Sequence, residues 1–172
     1  KDGKELVKVD IKSCHATFIS SRYEAETKEE RKEAGVYRNL IKWGFYEVMR
    51  QQVYIGVRPR GRDEVKRLFN AFLNSREWGN EKIRISYFNA VGKAFIKKFP
   101  ILFQRIKDFV RKHGEQMLSK SGNPSIGIAM MAIELKVLYP VYNELIARGY
   151  WFVPMHDGFV VEQDGLALAV QL

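Results

Sequence analysis

The stretch that decides the fold is residues 150–162, YWFVPMHDGFVVE. Two apolar runs in it flank the polar turn His156-Asp157-Gly158, and this pattern predicts a tight β-hairpin. The preceding residues, 126–149, are strongly apolar and predict a helix that Pro140 kinks or interrupts and that Gly149 ends. A helix followed by a hairpin is therefore expected in this part of the chain.

The other strand-like stretch is residues 6–11, LVKVDI, which contains Asp10 close to its end. Its apolar residues cluster rather than alternate strictly, which favours a strand that is covered on both faces. Most of the chain between the two stretches has helical patterning, including residues 62–73, 83–99 and 101–110, and residues 36–57 form one mostly helical apolar stripe. A strand, then helices, then a helix and a hairpin predict an α+β fold.

Composition limits the class of protein. The 172 residues carry 29 Lys and Arg against 20 Asp and Glu, a formal charge of +9, and this favours a polyanionic partner, with nucleic acid first and an anionic membrane surface second. A single cysteine, Cys14, excludes a disulfide framework and a cysteine-rich zinc site. No apolar run approaches the ~20 residues of a membrane-spanning helix, which excludes an integral membrane protein. Because the sequence begins at Lys1 rather than methionine, further domains of a longer polypeptide are an expected partner.

Two aspartates stand at positions suited to metal binding. Asp10 closes the first apolar strand, and Asp157 lies at the tip of the hairpin. A carboxylate at a strand end is held in place yet reaches solvent, which suits a hard cation such as Mg²⁺. If both strands join one sheet, the two carboxylates could hold two ions about 3.5–4 Å apart for phosphoryl transfer. The alternative is that each aspartate only forms a turn.

Basic residues on predicted helices form two further candidate sites. Arg62 and Lys66 are four residues apart and therefore share a helical face, where they could bind a triphosphate or simply pair with Asp63 or Glu64. A second set could follow a nucleic-acid backbone or could form a solvated helical face. It comprises Lys93, Lys97, Lys98, Arg105, Lys107, Arg111 and Lys112.

The order of three segments resembles the palm and fingers motifs of the family A DNA polymerases and of the related single-subunit, phage-type RNA polymerases. Residues 7–14 resemble motif A, a strand that ends in a metal-binding aspartate. The Arg62 to Lys66 spacing resembles motif B, and residues 152–161, with His156-Asp157 between two strands, resemble motif C. The resemblance extends over about residues 5–163. It implies a single palm-like catalytic domain over residues 1–172, an antiparallel sheet with packed helices, in which about residues 36–112 form a reduced helical fingers part.

The resemblance implies roles for the metal-binding and phosphate-binding residues. Asp10 and Asp157 would bind two Mg²⁺ ions, with the backbone carbonyl of Ile11 completing one coordination shell. Lys66 would neutralise the nucleotide phosphates and act as the acid for the leaving group, and Arg62 would bind the γ-phosphate. These residues together would form the catalytic and nucleotide-binding site.

Other positions have a less direct role or depart from the family pattern. His15, the third expected nucleotide-binding residue beside Arg62 and Lys66, stands where DNA polymerases often have a Glu that screens against ribose. His156 would either touch the primer terminus, position Asp157 or simply pack against the sheet. Gly158 occupies the place of the second acid usual in DNA polymerases. Asn74-Ser75 replaces the usual aromatic-Gly pair against which templating bases pack.

The implied function is a template-directed nucleic-acid polymerase, a nucleotidyltransferase that uses two Mg²⁺ ions, with DNA synthesis slightly favoured. Its expected partners are a primer-template and nucleoside triphosphates, and no membrane partner is expected. Its expected location is the cytoplasm, or the cytoplasm of a host cell if the protein comes from a phage or plasmid. One alternative is an RNA polymerase or primase of the same lineage. Another is a non-catalytic module that binds nucleic acid through its basic surface.

Overall fold

The computed structural model describes residues 3–11, 14–21, 23–53, 61–80, 82–118, 122, 124–155 and 158–171. The chain divides into two compact units. We call Lys1–Cys14 together with Met131–Leu172 the sheet unit, and His15–Met130 the helical unit. The expected helical part, residues 36–112, falls within the helical unit.

One antiparallel sheet is present among the described residues, with three strands in the order β1-β3-β2. They are β1 Leu6–Asp10, β2 Phe152–Met155 and β3 Gly158–Glu162. The sheet unit also contains the part of helix α7 (Ile126–Ala147) from Met131 onward, and helix α8 (Gln163–Gln171). The α+β class and the two strands of the hairpin are therefore confirmed.

Helix α7 packs against one face of this sheet. Its residues Leu138, Val141 and Leu145 form a buried cluster with Phe159 and Val161 of the central strand β3. Val9 and Phe152, from the two outer strands, pack partly buried against the same cluster. The apolar side chains at alternate positions of the strands thus form the core of the sheet unit.

The other face of β1 is exposed, which contradicts the expectation of a strand covered on both faces. Leu6 is 51% exposed, and Lys8 and Asp10 are also exposed, whereas Val7 and Val9 are half-buried. Exposed and half-buried residues therefore alternate along β1, and Leu6 is an apolar residue on the exposed side. This exposed face is the one that presents Asp10.

Helix α7 continues through Pro140, so of the two expected effects of this proline, a kink or an interruption, the interruption does not occur. Pro140 is exposed on this helix. The predicted end at Gly149 is confirmed: Gly149 has a φ of 73°, and the backbone N–H of Tyr150 donates to the carbonyl of Leu145 at 2.9 Å. A left-handed glycine with a bond back to the last turn is the usual way to end a helix and change direction.

The helical unit is built around buried aromatic rings. Its helices are α1 Cys14–Ser21, whose first residue belongs to the sheet unit, α2 Lys28–Trp43, α3 Phe45–Gln52, α4 Arg62–Leu73, α5 Ala90–Lys98, α6 Pro100–His113 and the start of α7. Edge-to-face and tilted contacts with ring centroids 4.8–6.2 Å apart join the core rings Tyr37, Phe45, Phe69, Phe72, Phe95 and Phe99. Such contacts fix the helices against one another more specifically than aliphatic packing does.

Two helix boundaries differ from the sequence expectation, and one agrees. Gly44, with a φ of 108°, separates α2 from α3 within the single stripe predicted for residues 36–57. The helix expected from residue 83 begins at Ala90, where the side chain of Asn89 caps it by accepting from the N–H of Gly92 at 2.9 Å. Helix α4 has the expected bounds, 62–73. No helix of the described residues is both long enough and apolar enough to cross a lipid bilayer.

Candidate functional site

Strand pairing places Asp10 opposite the start of the central strand. Asp10 is the last residue of β1, and its register partner on β3 is Gly158, which also pairs with Met155 of β2. His156 and Asp157, which precede Gly158 in the sequence, lie outside the described residues. The structure thus brings Asp10 to the residue that directly follows Asp157 in the chain.

Gly158 has no room for a side chain. A Cβ atom at this position would clash with the carbonyl oxygen of Val9 and would lie 3.0 Å from the Cα of Asp10. Both of these are backbone atoms, which cannot rotate away. The carbonyl of Gly158 also accepts a hydrogen bond from the hydroxyl of Tyr142 at 3.0 Å. The close approach of β1 therefore accounts physically for a glycine at this position.

The carboxylate of Asp10 faces solvent, as a ligand for a cation requires. Its side chain is 46% exposed, and its Oδ2 lies 3.3 Å from the Nζ of Lys8, which is on the same face of β1. Exposed ion pairs of this kind contribute little to stability and exchange readily. The next residue, Ile11, is half-buried and packs partly against the core of the sheet unit. Among the described residues, no three or more His, Cys, Asp or Glu side chains group together as a metal site.

A polar stripe runs along helix α4. Arg62, Lys66 and Asn70 follow each other at four-residue spacing, and Asn74 caps the end of the helix. The neighbouring face of α4 is buried and carries Val65, Phe69, Phe72 and Leu73. Arg62 is exposed and Lys66 is half-buried, so the predicted Arg62–Lys66 face borders the buried face without being part of the core.

Helix α3 holds the guanidinium of Arg62. Its Nε lies 3.0 Å from the Oε1 of Glu47, and its Nη1 lies 3.4 Å from the Oδ1 of Asp63. The guanidinium carbon lies 5.5 Å from the centre of the Tyr46 ring, a distance at which a cation and an aromatic face attract each other. The structure thus shows Arg62 pairing with acids, which was the alternative interpretation of this residue.

His15 contacts the same polar stripe from helix α1. Its side chain is buried, with the residue only 8% exposed, and its Nδ1 lies 2.9 Å from the Oδ1 of Asn70. Asn70 was not singled out from the sequence, although its position four residues after Lys66 was a usable signal. His15 therefore belongs to the surroundings of helix α4 and links to the stripe through Asn70.

The residues at the end of α4 are engaged with other parts of the helical unit. Asn74 donates from its Nδ2 to the carbonyl of Asn70 at 2.9 Å, and its Oδ1 accepts a hydrogen bond from the hydroxyl of Ser125. Gly127 approaches so closely that an added Cβ would contact the Asn74 side chain. The hydroxyl of Ser75 accepts from the N–H of Glu77 at 3.3 Å and caps the next turn.

Comparisons of the chain with protein-family models, with curated proteins and with solved structures find no match. The candidate residues are distributed over both units: Asp10 is in the sheet unit, and Arg62, Lys66 and His15 are in the helical unit. Tyr142, which orients the start of β3, was missed because a tyrosine within an apolar helix is not distinguishable from a core residue by pattern.

Proposed function

We propose that this chain is a template-directed nucleic-acid polymerase, a palm-like nucleotidyltransferase that uses two Mg²⁺ ions. The observation that carries the proposal is the pairing of Asp10 with Gly158, the residue next to Asp157. Paired residues of antiparallel strands have Cα atoms about 5 Å apart, and consecutive Cα atoms are about 3.8 Å apart. On this basis we propose that Asp10 and Asp157 bind the same cations.

The residues present fit Mg²⁺ by their chemistry. This cation prefers oxygen ligands and is usually held by one or two carboxylates together with substrate phosphates and water. Asp10 supplies an exposed carboxylate at a strand end, Asp157 would supply the second, and Ile11 would add a backbone carbonyl. When bound, the two ions supply the positive charge that activates the primer 3′-hydroxyl and stabilises the transferred phosphate.

Helix α4 would bind the nucleotide phosphates. Arg62 would exchange its exposed partner Glu47 for the γ-phosphate, to which a guanidinium can donate two parallel hydrogen bonds. Lys66 would neutralise the phosphates and donate a proton to the leaving pyrophosphate. The amide of Asn70, held by His15, lies further along the same stripe and would face the sugar of the nucleotide. Sugar selectivity would then depend on Asn70 and His15, with DNA synthesis slightly favoured over RNA synthesis or priming.

Primer extension tests the proposal. The assay uses Mg²⁺, a labelled primer-template and either dNTPs or NTPs, and it compares the wild type with Asp10→Asn and Asp157→Asn. Both variants should lose extension while still binding the primer-template, because the amide removes a metal ligand at nearly constant shape. Asp164→Asn, which changes an exposed acid on α8 of the same unit, is the matched control and should retain activity. Full activity in Asp10→Asn would contradict the proposal.

The nucleotide-binding role of α4 needs its own variants. Arg62→Ala should raise the KM for the nucleotide about tenfold or more, since a charge-assisted hydrogen bond contributes about 1.5–3 kcal/mol. Arg148→Ala, which removes another exposed, acid-paired arginine, is the control and should not change KM. If both arginine variants had the same KM as the wild type, α4 would not bind the triphosphate.

The second candidate is a non-catalytic module that binds nucleic acid. The observation that favours it is the net charge of +9, which would attract a polyanion without any reaction. In the same assay this module would bind primer-template in all variants and would extend it in none, the wild type included. The two functions therefore give different results with the wild type alone.

A further inference from the structure

A polar cleft lies in the helical unit just after helix α4. It has a volume of about 640 Å³ and lies between two short 3₁₀ turns, Arg76–Gly79 and Ile85–Tyr87. Arg76, Arg84, Asn80 and Tyr87 are among the residues that line it. The cleft combines two cations, an amide and an aromatic ring, and none of these residues has a role in the proposed catalysis.

Tyr87 offers an exposed aromatic surface at this cleft. The residue is 58% exposed, and the guanidinium carbon of Arg84 lies 4.3 Å from the centre of its ring. At that distance the cation and the ring attract each other, and the pair is held together at the surface. An exposed ring beside a guanidinium is the combination on which unpaired bases stack.

A second cleft adjoins the first and extends its positive charge. It has a volume of about 670 Å³, and Asn80 lines both clefts. Arg111 and Lys112, at the basic end of helix α6, line the second cleft. The two clefts therefore meet at Asn80, and we call their combined lining the Asn80 surface.

Among the residues that the structure describes, the acids on the Asn80 surface are fewer than the cations. Its described cations are Arg76, Arg84, Arg111 and Lys112, and its described acids are Glu77 and Glu115. Glu77 is buried and its Oε2 accepts a hydrogen bond from the Nδ2 of Asn80 at 2.9 Å, so it is engaged in the floor of the cleft. The described side chains of the surface thus carry a net positive charge, which suits a chain of phosphates.

We propose that the Asn80 surface binds single-stranded nucleic acid, with a base stacked on Tyr87 and phosphates neutralised by Arg76, Arg84, Arg111 and Lys112. A single strand is required because the bases of a duplex are already stacked on each other and present no free face. The inference goes beyond the proposed polymerase activity, because this binding needs neither metal ions nor turnover. It would remain true if the catalytic proposal failed.

Fluorescence anisotropy with the full chain in EDTA tests the proposal. The probes are labelled single-stranded DNA, single-stranded RNA, the matched DNA duplex and an abasic DNA strand, all of equal length. The single strands should bind more tightly than the duplex and the abasic strand, and the ratio between DNA and RNA identifies the preferred sugar. Equal binding of all four probes, or no binding of single strands, would overturn the proposal.

Variants of Tyr87 separate base stacking from charge. Tyr87→Ala should weaken binding of the single strands about fivefold or more, while it leaves binding of the abasic strand unchanged. Tyr87→Phe should bind as the wild type does, because it keeps the ring. Tyr139→Ala, which removes a tyrosine of the sheet unit that is 61% exposed, is the matched control and should have no effect. Unchanged affinity in Tyr87→Ala, with its fold confirmed by circular dichroism, would overturn the stacking contact.

Salt dependence tests the phosphate contacts. For single strands, each neutralised phosphate contributes about 0.7 to the slope of log affinity against log salt concentration. Arg76→Ala and Arg111→Ala should each reduce this slope by about that amount, and the double variant should reduce it by about twice as much. Arg148→Ala should leave the slope unchanged. Equal slopes in all of these proteins would place the strand on another surface and overturn the proposal.

Discussion

Replacing Gly158 by alanine is the change that most directly disturbs the proposed metal site without touching an acid. The added methyl group would clash with the carbonyl oxygen of Val9 and lie 3.0 Å from the Cα of Asp10, whereas carbon atoms prefer about 3.5–4.0 Å. Because these partners are backbone atoms, β1 and β3 would have to separate at the Asp10–Gly158 pair. Overpacking of this kind costs about 1–3 kcal/mol, and alanine regains about 0.5–1 kcal/mol in backbone entropy, which leaves a net loss between about 0 and 2.5 kcal/mol, with about 1–2 kcal/mol in the middle of this range.

Amide hydrogen exchange measures this loss in the sheet itself. A loss of about 1–2 kcal/mol corresponds to roughly 5- to 30-fold faster exchange through opening of the sheet, and this should appear in residues 6–10 and 158–162. Primer extension should fall in the same variant, because the carboxylate of Asp10 moves with its strand. Urea unfolding followed by circular dichroism supplies the global stability for comparison.

Gly35 provides the matched control, since it is also a glycine but has no atom within 4 Å of a Cβ at its position in helix α2. Gly35→Ala should stabilise the protein by about 0.5–1 kcal/mol, because alanine is the better helix former. The two glycine variants should thus shift stability in opposite directions. If the amide hydrogens of Gly158→Ala exchanged at the wild-type rate and the variant extended primers as the wild type does, the register that pairs Asp10 with Gly158 would be wrong.

Two further predictions concern single side chains. Tyr142→Phe removes the hydroxyl that donates to the Gly158 carbonyl at 3.0 Å. Urea unfolding should show that the free energy of unfolding falls by about 0.5–1.5 kcal/mol. Primer extension by this variant should have a lower kcat at an unchanged KM. An unchanged kcat would mean that this hydrogen bond does not position the site. Hydrogen bonds from the backbone N–H groups of Thr27 and Glu26, and then from Arg105, lower the pKa of Glu30 to about 2 from its ordinary value of 4.5. A carboxylate whose pKa is lowered by folding stabilises the folded state at pH values above its ordinary pKa. This stabilisation is lost as the pH falls towards the lowered pKa. The difference in the free energy of unfolding between the wild type and Glu30→Gln should therefore be constant above about pH 5 and should disappear between about pH 4.5 and 2. A difference that does not depend on pH would contradict this assignment.

The local pattern predicted several elements well. The alternation of charged and apolar residues from Arg62 to Leu73 predicted α4 with its observed bounds, and Gly149 predicted the end of α7. The polar sequence His156-Asp157-Gly158 between two apolar runs predicted the pairing of β2 with β3. These features depend on contacts among neighbouring residues, which the order of residue types along the chain reflects.

Other features depend on contacts between residues far apart in the sequence, and pattern could not predict them. The register of Asp10 with Gly158 is set by the fit of β1 against β3 over a separation of about 150 residues. The exposure of Leu6 depends on which face α7 covers. The link from His15 to Asn70 likewise joins two helices that are distant in the chain.

In the helical unit, the spacing of apolar residues did not predict two of the helix boundaries. The stripe of residues 36–57 continues its apolar spacing across Gly44, so only the left-handed conformation of that glycine reveals the break between α2 and α3. The stretch expected to be helical from residue 83 contained a usable start signal for the helix, since Asn89 is a good N-cap residue. Residues 163–171, which form α8, were not predicted as a helix.

Binding of Mn²⁺ followed by electron paramagnetic resonance most directly tests whether the two carboxylates share a cation site. The titration compares the wild type, Asp10→Asn, Asp157→Asn and the double variant, with Asp164→Asn as the control. If one site uses both acids, each single variant should weaken binding strongly, and the double variant should lose far less than the sum of the two single effects. Wild-type affinity in either single variant, or fully additive losses, would show that Asp10 and Asp157 do not bind a common ion.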